Sequence, residues 1–322
     1  MNEKTNTQHT GRTGGLDTGA TAARPHGRYV VGVDAGGTRT RLRFAAPGGA
    51  VLADAAHPAG DWTDLDAEGK ARLIAGHLAR TADGTPAAIG VGAHGCDSDD
   101  ECEQLRAALA SLVPAPVRVV NDAFLLEAAV PGPEPCGCLV VGTGSIAVAR
   151  DGAGRSLYAG GWGWLLGDPA SGWGTVREAV RLLAAAQDRG GGGDDPLLAP
   201  LLRRSGARSL REVAGFMQRE PARVWARWAP DVYAAAAAGS PAARAAVDGG
   251  ATALAGLVGD LVARGARVGR VVAGGSVIAA QPALAAAVST ALRPLGVPRL
   301  TVYGGEPVAG AVRLARAALD EG

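Results

Sequence analysis

Short apolar runs broken by glycine-rich turns, and then by stretches of helical spacing, set the organisation of this chain. Residues 29–33, 39–45 and 50–56 read as three strands joined by tight turns, the second turn being Pro47-Gly48-Gly49. A helix is predicted over 64–80, a buried apolar strand over 87–93, a helix over 99–111, a strand over 117–120 and a helix over 123–130. Strands that alternate with helices predict an α/β sheet with helices on its faces. The pattern restarts at Leu139, with strands over 139–141 and 146–150, the turn Asp151-Gly152-Ala153-Gly154, and a further strand through Leu157. This is a repeat of structure and not of letters, and it predicts two related lobes with a boundary near Pro131 to Pro135. Residues 170–267 are nearly all helical by composition, interrupted by the linker-like tetraglycine 190–193, by Gly206, and by Pro221 and Pro230. Strands over 271–273 and 300–302 and a last helix over 307–319, with proline at its start, complete the chain.

Length and charge narrow the class. A chain of 322 residues is too long for one core, since single cores seldom grow past about 250 to 300 residues, and two domains are expected. Lysine plus arginine total 32 against 31 aspartate plus glutamate, a net charge of +1, so no electrostatic case exists for nucleic acid or an anionic membrane. The alanine-rich runs are interrupted by arginine, aspartate and glycine, and no membrane span is expected. Residues 1–27 are polar and lack the apolar core of a secretion signal, so they are expected to be a disordered extension. The lobes are expected at 28–130 and 131–305, the second with a helical insertion. Cys96, Cys102, Cys136 and Cys138, without an export signal, point to reduced thiols in the cytoplasm. Cys136-Gly137-Cys138 has neither the two-residue spacing usual for a metal site nor a second close pair.

Candidate chemistry begins with two glycine-threonine turns, Val31-Gly32-Val33-Asp34-Ala35-Gly36-Gly37-Thr38 and Val140-Val141-Gly142-Thr143-Gly144-Ser145. Each joins two apolar strands. Glycines there let backbone amides and hydroxyls surround a phosphate, although a plain hairpin also uses Gly-Gly. Two such turns suggest a nucleotide held between two lobes. Asp34, at a strand end, either holds magnesium through water or accepts turn amides. Asp122, just beyond the strand over 117–120, is placed to accept the proton of a hydroxyl, or else it or Asn121 caps the following helix. Asp168-Pro169-Ala170-Ser171 has the letters of an N-cap followed by proline. His94 ends a strand at the cleft, as a ligand contact or as a structural histidine. Trp162, Trp164 and Trp173 are expected to lie in the core or between the lobes.

The first turn, Asn121-Asp122-Ala123, the second turn, Gly160-Gly161-Trp162-Gly163-Trp164-Leu165-Leu166-Gly167-Asp168, and Val271-Val272-Ala273-Gly274-Gly275-Ser276 occur in that order. Together they resemble the N-acetylglucosamine kinase branch of the actin-like ATPase superfamily, which also contains the activator ATPases of benzoyl-CoA reductase and 2-hydroxyacyl-CoA dehydratase. The resemblance runs from about Arg28 to the C-terminus. It implies two ribonuclease-H-like α/β lobes with an ATP cleft between them, and a last helix, 306–322, that crosses back to the first lobe. It implies ATP and Mg2+ as cofactors and a small sugar as the partner, with no nucleic acid or membrane, and leaves a homodimer open. The roles it implies are Asp122 as catalytic base and Asp34 near the metal. ATP falls to Gly36, Gly37, Thr38, Gly142, Thr143, Gly144, Ser145, Gly274, Gly275 and Ser276, and the sugar to Asp61, Trp62, Asp122, Gly144, Gly161 and Asp168. The chain departs from the family where Pro169 and Ala170 replace glutamate and glycine, and where Ala59-Gly60-Asp61-Trp62 replaces a loop bearing asparagine. A carboxylate at Asp61 only accepts hydrogen bonds, so free glucosamine or another hexose is as well suited as the N-acetyl sugar.

Overall fold

Two five-stranded sheets carry the same strand order, each with its own helical cover. The computed structural model describes residues 24–321. In the first sheet β1 (Val30–Ala35), β2 (Arg39–Ala45) and β3 (Val51–Pro58) form an antiparallel meander, and β4 (Ala88–Ala93) and β5 (Val117–Asn121) add in parallel on the other side of β1. In the second, β6 (Cys136–Val141), β7 (Ser145–Arg150) and β8 (Ser156–Gly160) form the meander, and β9 (Arg270–Gly274) and β10 (Leu300–Val302) add in parallel beside β6. Strand β6 begins at Cys136, three residues earlier than its letters suggest, because Cys136 and Gly137 pair with Arg270 and Val271. All four cysteines are free and buried.

The helices of the first lobe start where side chains cap them. α1 (Ala67–Thr81) opens at Asp66, whose carboxylate accepts from Gly69 N at 2.7 Å; residues Trp62–Asp64 form a separate 3-10 turn, so the expected start at 64 is too early. α2 (Asp99–Leu112) opens with a reciprocal cap, in which Ser98 Oγ accepts from Glu101 N while Glu101 Oε2 accepts from Ser98 Oγ and Asp97 N. After the 3-10 turn Asp122–Phe124 comes the short α3 (Leu125–Ala129).

The second lobe carries α4 (Gly163–Leu166), α5 (Gly172–Asp188), α6 (Leu198–Ser205), α7 (Leu210–Arg219), α8 (Ala222–Trp225), α9 (Ala229–Ala237), α10 (Pro241–Ala263), α11 (Ser276–Ala280) and α12 (Pro282–Leu292). By length and composition α10 is the one helix among the described residues that could cross a membrane, contrary to the expectation that none would. Its apolar character goes instead into the second-lobe core, where Ala243, Leu254, Val258 and Leu261 are buried.

The last helix, α13 (Val308–Asp320), lies on the first sheet against β1 and β4. Its backbone touches theirs directly: a Cβ at Gly32 would sit 2.4 Å from Val312 N, and one at Gly90 2.2 Å from Ala311 O. A third apolar cluster joins the lobes, with Phe124, Leu125 and Leu126 packed on Cys138, Val148 and Val272. Of the extension expected to be disordered, residues 1–23 lie outside the described residues. Its last residues are docked, since Arg24 pairs with Asp83 at 2.9 Å and Asp83 N donates to the Pro25 carbonyl.

Candidate functional site

Parallel pairing brings the carboxyl ends of β1, β4 and β5 to one level, with Ala35 opposite Ala93 and Ala93 opposite Asn121. Asp34, His94 and Asp122 therefore emerge together, at the edge where α/β sheets bind ligands. The helical turn after β5 is capped by Asn121, whose Oδ1 accepts from Ala123 N at 3.0 Å and whose Nδ2 donates to Cys96 O and Asp97 Oδ1. Asp122 is thereby released from capping. Its Oδ2 stands 3.7 Å from His94 Nδ1, in a half-exposed pair.

The loop bearing Asp61 lies beside this edge, because Ala59 N donates to the Thr38 carbonyl and Trp62 Nε1 donates to His94 O at 2.9 Å. Asp61 is exposed. Trp62, expected as a sugar contact, is fully buried and anchors the loop from below. Lys70 covers its ring, with Nζ 5.4 Å from the centroid. Nothing in the spacing of α1 singles out this buried lysine.

The segment Asp122–Phe124 packs on both β6 and β7, the strands that the second glycine turn joins. Thr143 is exposed at its tip and Gly142 is buried at its base. Two of the expected site residues are engaged within the protein. The Ser145 hydroxyl, expected to face phosphate, donates to the Pro169 carbonyl at 2.8 Å. Asp168, expected to hold the sugar, is 2% exposed, and its carboxylate accepts from Ser145 N at 3.1 Å and from Trp173 Nε1 at 2.9 Å. These bonds tie Asp168 to the turn, and the N-cap of α5 is Ser171. The third turn stacks on the second, so that a Cβ at Gly275, whose φ is +105°, would lie 2.5 Å from the Val141 carbonyl oxygen. Gly275 and Ser276 reach the surface, whereas Gly274 is buried against Leu126 and is not open to a base as expected.

This two-lobed arrangement of sheets, with the order 3-2-1-4-5 in each, superposes on solved structures. A candidate N-acetylglucosamine kinase from Chromobacterium violaceum superposes with a TM-score of 0.64 at 25% identity, over 89% of this chain and 98% of that one. The fold is that of the actin-like ATPase sugar kinases. A ROK-family glucokinase from Streptomyces griseus, solved with glucose and AMPPNP, gives a TM-score of 0.58 at 20% identity over 91% of this chain and 100% of that one. Among curated proteins, the N-acetylmuramic acid/N-acetylglucosamine kinase of Clostridium acetobutylicum is 29% identical over 174 residues, or 51% of this chain. The chain thus spans about half the length of that relative, 56%. No family model matches.

Within this sugar-kinase fold, Trp162 and Trp164 are not core or lobe-interface residues as expected. They are 74% and 43% exposed on a strap with Leu165 and Leu166, and Arg177 holds the strap to α5 through the carbonyls of Trp164 and Gly167. Trp173 is partly buried and supports Asp168.

Asp34 shows the strongest electrostatic perturbation at the carboxyl edge. Burial, reinforced by the Asp122 charge, pushes its pKa up from 3.8 to about 7. Across that window the folded chain keeps a proton which the unfolded chain releases, so this group's contribution to stability is full below the lower value and is lost as pH rises through the upper one. Asp34→Asn removes the penalty. Without ligands the variant should melt several degrees above the parent near pH 8, with the gain vanishing toward about pH 4. A melting difference that does not change with pH would contradict the assignment.

Proposed function

We propose that the protein transfers the γ-phosphoryl group of ATP to a hydroxyl of N-acetylglucosamine, glucosamine or a related hexose. The reading rests on one juxtaposition: Asp122, a carboxylate free of any capping role, stands at the end of β5 beside Asp34, on the segment that packs against β6 and β7. Asp122 takes the proton of the acceptor hydroxyl as that oxygen attacks the γ-phosphorus. The bond from phosphorus to the β–γ bridging oxygen breaks, and ADP leaves. Gly36, Gly37 and Thr38 on one side, and Thr143 and Gly144 on the other, surround the phosphates, while Gly275 and Ser276 lie along the adenosine.

Asp34 fits a hydrated Mg2+. Its carboxylate is buried beside a second carboxylate, an arrangement that a cation relieves, and no group of three or more His, Cys, Asp or Glu stands together among the described residues, so a cation there would keep much of its water. Bound there, the cation supplies neutralisation of the phosphate charge. Asp61, exposed beside the first turn, and Gly161 are the remaining acceptor contacts. The likeness to the Clostridium acetobutylicum kinase supports the choice of amino sugars.

The test is ATP consumption across a panel of amino sugars, N-acetyl sugars and neutral hexoses, with the product mass measured. At least one sugar should raise turnover about 100-fold or more above the rate with water alone. If no sugar does so, with magnesium present, the reading is wrong.

A further inference from the structure

Both backbone groups of His94 have partners: its N–H donates to the Ala35 carbonyl at 2.8 Å, and its carbonyl accepts from Trp62 Nε1. They fix the residue at the end of β4 and leave the imidazole to serve something else. The ring meets two neighbours. On one side its Nδ1 faces Asp122 Oδ2 at 3.7 Å; on the other its Cδ2 and Nε2 lie against Gly37, where an added Cβ would come within 3.3 and 3.4 Å of them. The ring is thus held between the carboxylate proposed as base and the first phosphate turn, and the missing side chain of Gly37 makes room for it.

Resting on the kinase reading above, we propose that His94 is the positioning residue for Asp122: it holds Oδ2 through Nδ1–H, leaving the other carboxylate oxygen aimed at the acceptor hydroxyl. A base oriented by a third group is a recurring solution in enzymes that activate hydroxyls. The distance of 3.7 Å is beyond hydrogen-bond reach, and contacts of this kind tighten when substrate closes the site. The Nδ1–H needed here is present in one neutral tautomer as well as in the imidazolium. The Asp122 carboxylate raises the His94 pKa against the opposing effects of burial and Lys70, and Asp97 adds to the rise, so the two carboxylates favour a proton on the ring. The half-exposed ring does not belong to the core, so replacing it should leave the fold standing.

The test compares wild type, His94→Ala, His94→Asn, Asp122→Asn and the double variant His94→Ala/Asp122→Asn, with the acceptor found in the panel above. His94→Ala should lower kcat roughly tenfold to a hundredfold, as expected for a misaimed catalytic group. The acceptor KM, the nucleotide Kd and Tm should stay close to wild type. His94→Asn, whose amide N–H lies near the place of Nδ1, should recover most of the loss. In the Asp122→Asn background, His94→Ala should cost nothing further, because the two act as one unit. The proposal is overturned if His94→Ala keeps its kcat, if its loss lies in nucleotide affinity or Tm, if His94→Asn is no better than His94→Ala, or if the two substitutions multiply. A wild type without sugar-dependent turnover would overturn the kinase reading, and this one with it; normal wild-type turnover with an unaffected His94→Ala variant removes His94 alone.

Discussion

Asp122→Asn should give a folded protein that still binds nucleotide but phosphorylates its sugar about 100-fold to 10,000-fold more slowly, the range a general base supplies. Geometry separates the two parts of this expectation. The turn that follows β5 is capped by Asn121 Oδ1, at 3.0 Å from Ala123 N, so replacing Asp122 removes no cap. The side chain is partly exposed, and an amide of the same shape fits its place. An amide cannot take up the hydroxyl proton, which is the loss that matters. Removing the Asp122 charge also removes one of the causes that raise the Asp34 pKa. Isothermal titration with the nucleotide analogue AMPPNP and magnesium, beside single-turnover product formation, checks both halves. Turnover within a few-fold of wild type would take Asp122 out of the mechanism.

Gly90→Ala should lower stability by about 3 kcal/mol or more, because the added methyl has no free volume and no flexible neighbour to displace. It would lie 2.2 Å from Ala311 O and 2.5 Å from Ala315 N, both in the backbone of α13. The helix must lift from the sheet, and with it the buried contacts of Val312 and Ala315 against Val30 and Ala88. A melting temperature about 6 °C or more below the parent is expected for a chain of this size. Gly48→Ala is the control, since its added methyl meets nothing within 4 Å. A Gly90→Ala protein that melts within a degree or two of the parent would show that α13 docks loosely.

Much of the fold is legible in the letters because it depends on period and punctuation. The doubled meander followed by parallel strands follows from apolar runs and glycine turns, and β4, which pairs in parallel on both sides, reads as one continuous small-apolar run. Asp34 and Asp122 are legible for the same reason, standing at strand ends. What the letters do not carry is the direction of a side chain in a tight turn. Asp168 has the neighbours of an N-cap, but its backbone takes φ +57° and turns the carboxylate inward to Ser145 and Trp173, leaving Ser171 to open the helix. Trp62 and the exposed Trp162 show the same limit: two tryptophans in glycine-bearing loops have opposite environments, decided by what lies beneath each loop. His94 is visible as a residue at a strand end, while its partner Asp122 becomes visible only once β4 and β5 are placed side by side.

The docking of α13 across β1 and β4 also sets an order of assembly. As the chain is synthesised, the first sheet is laid down well before the helix that covers its Gly32 and Gly90 face. Contacts between segments so far apart in sequence carry a large loop-closure cost and form late. The strands and most of the helices of the second lobe lie between the two in sequence, so that lobe can consolidate first. The first lobe then completes its fold only when α13 returns to it, and until then the face of β1 and β4 that this helix covers stays open.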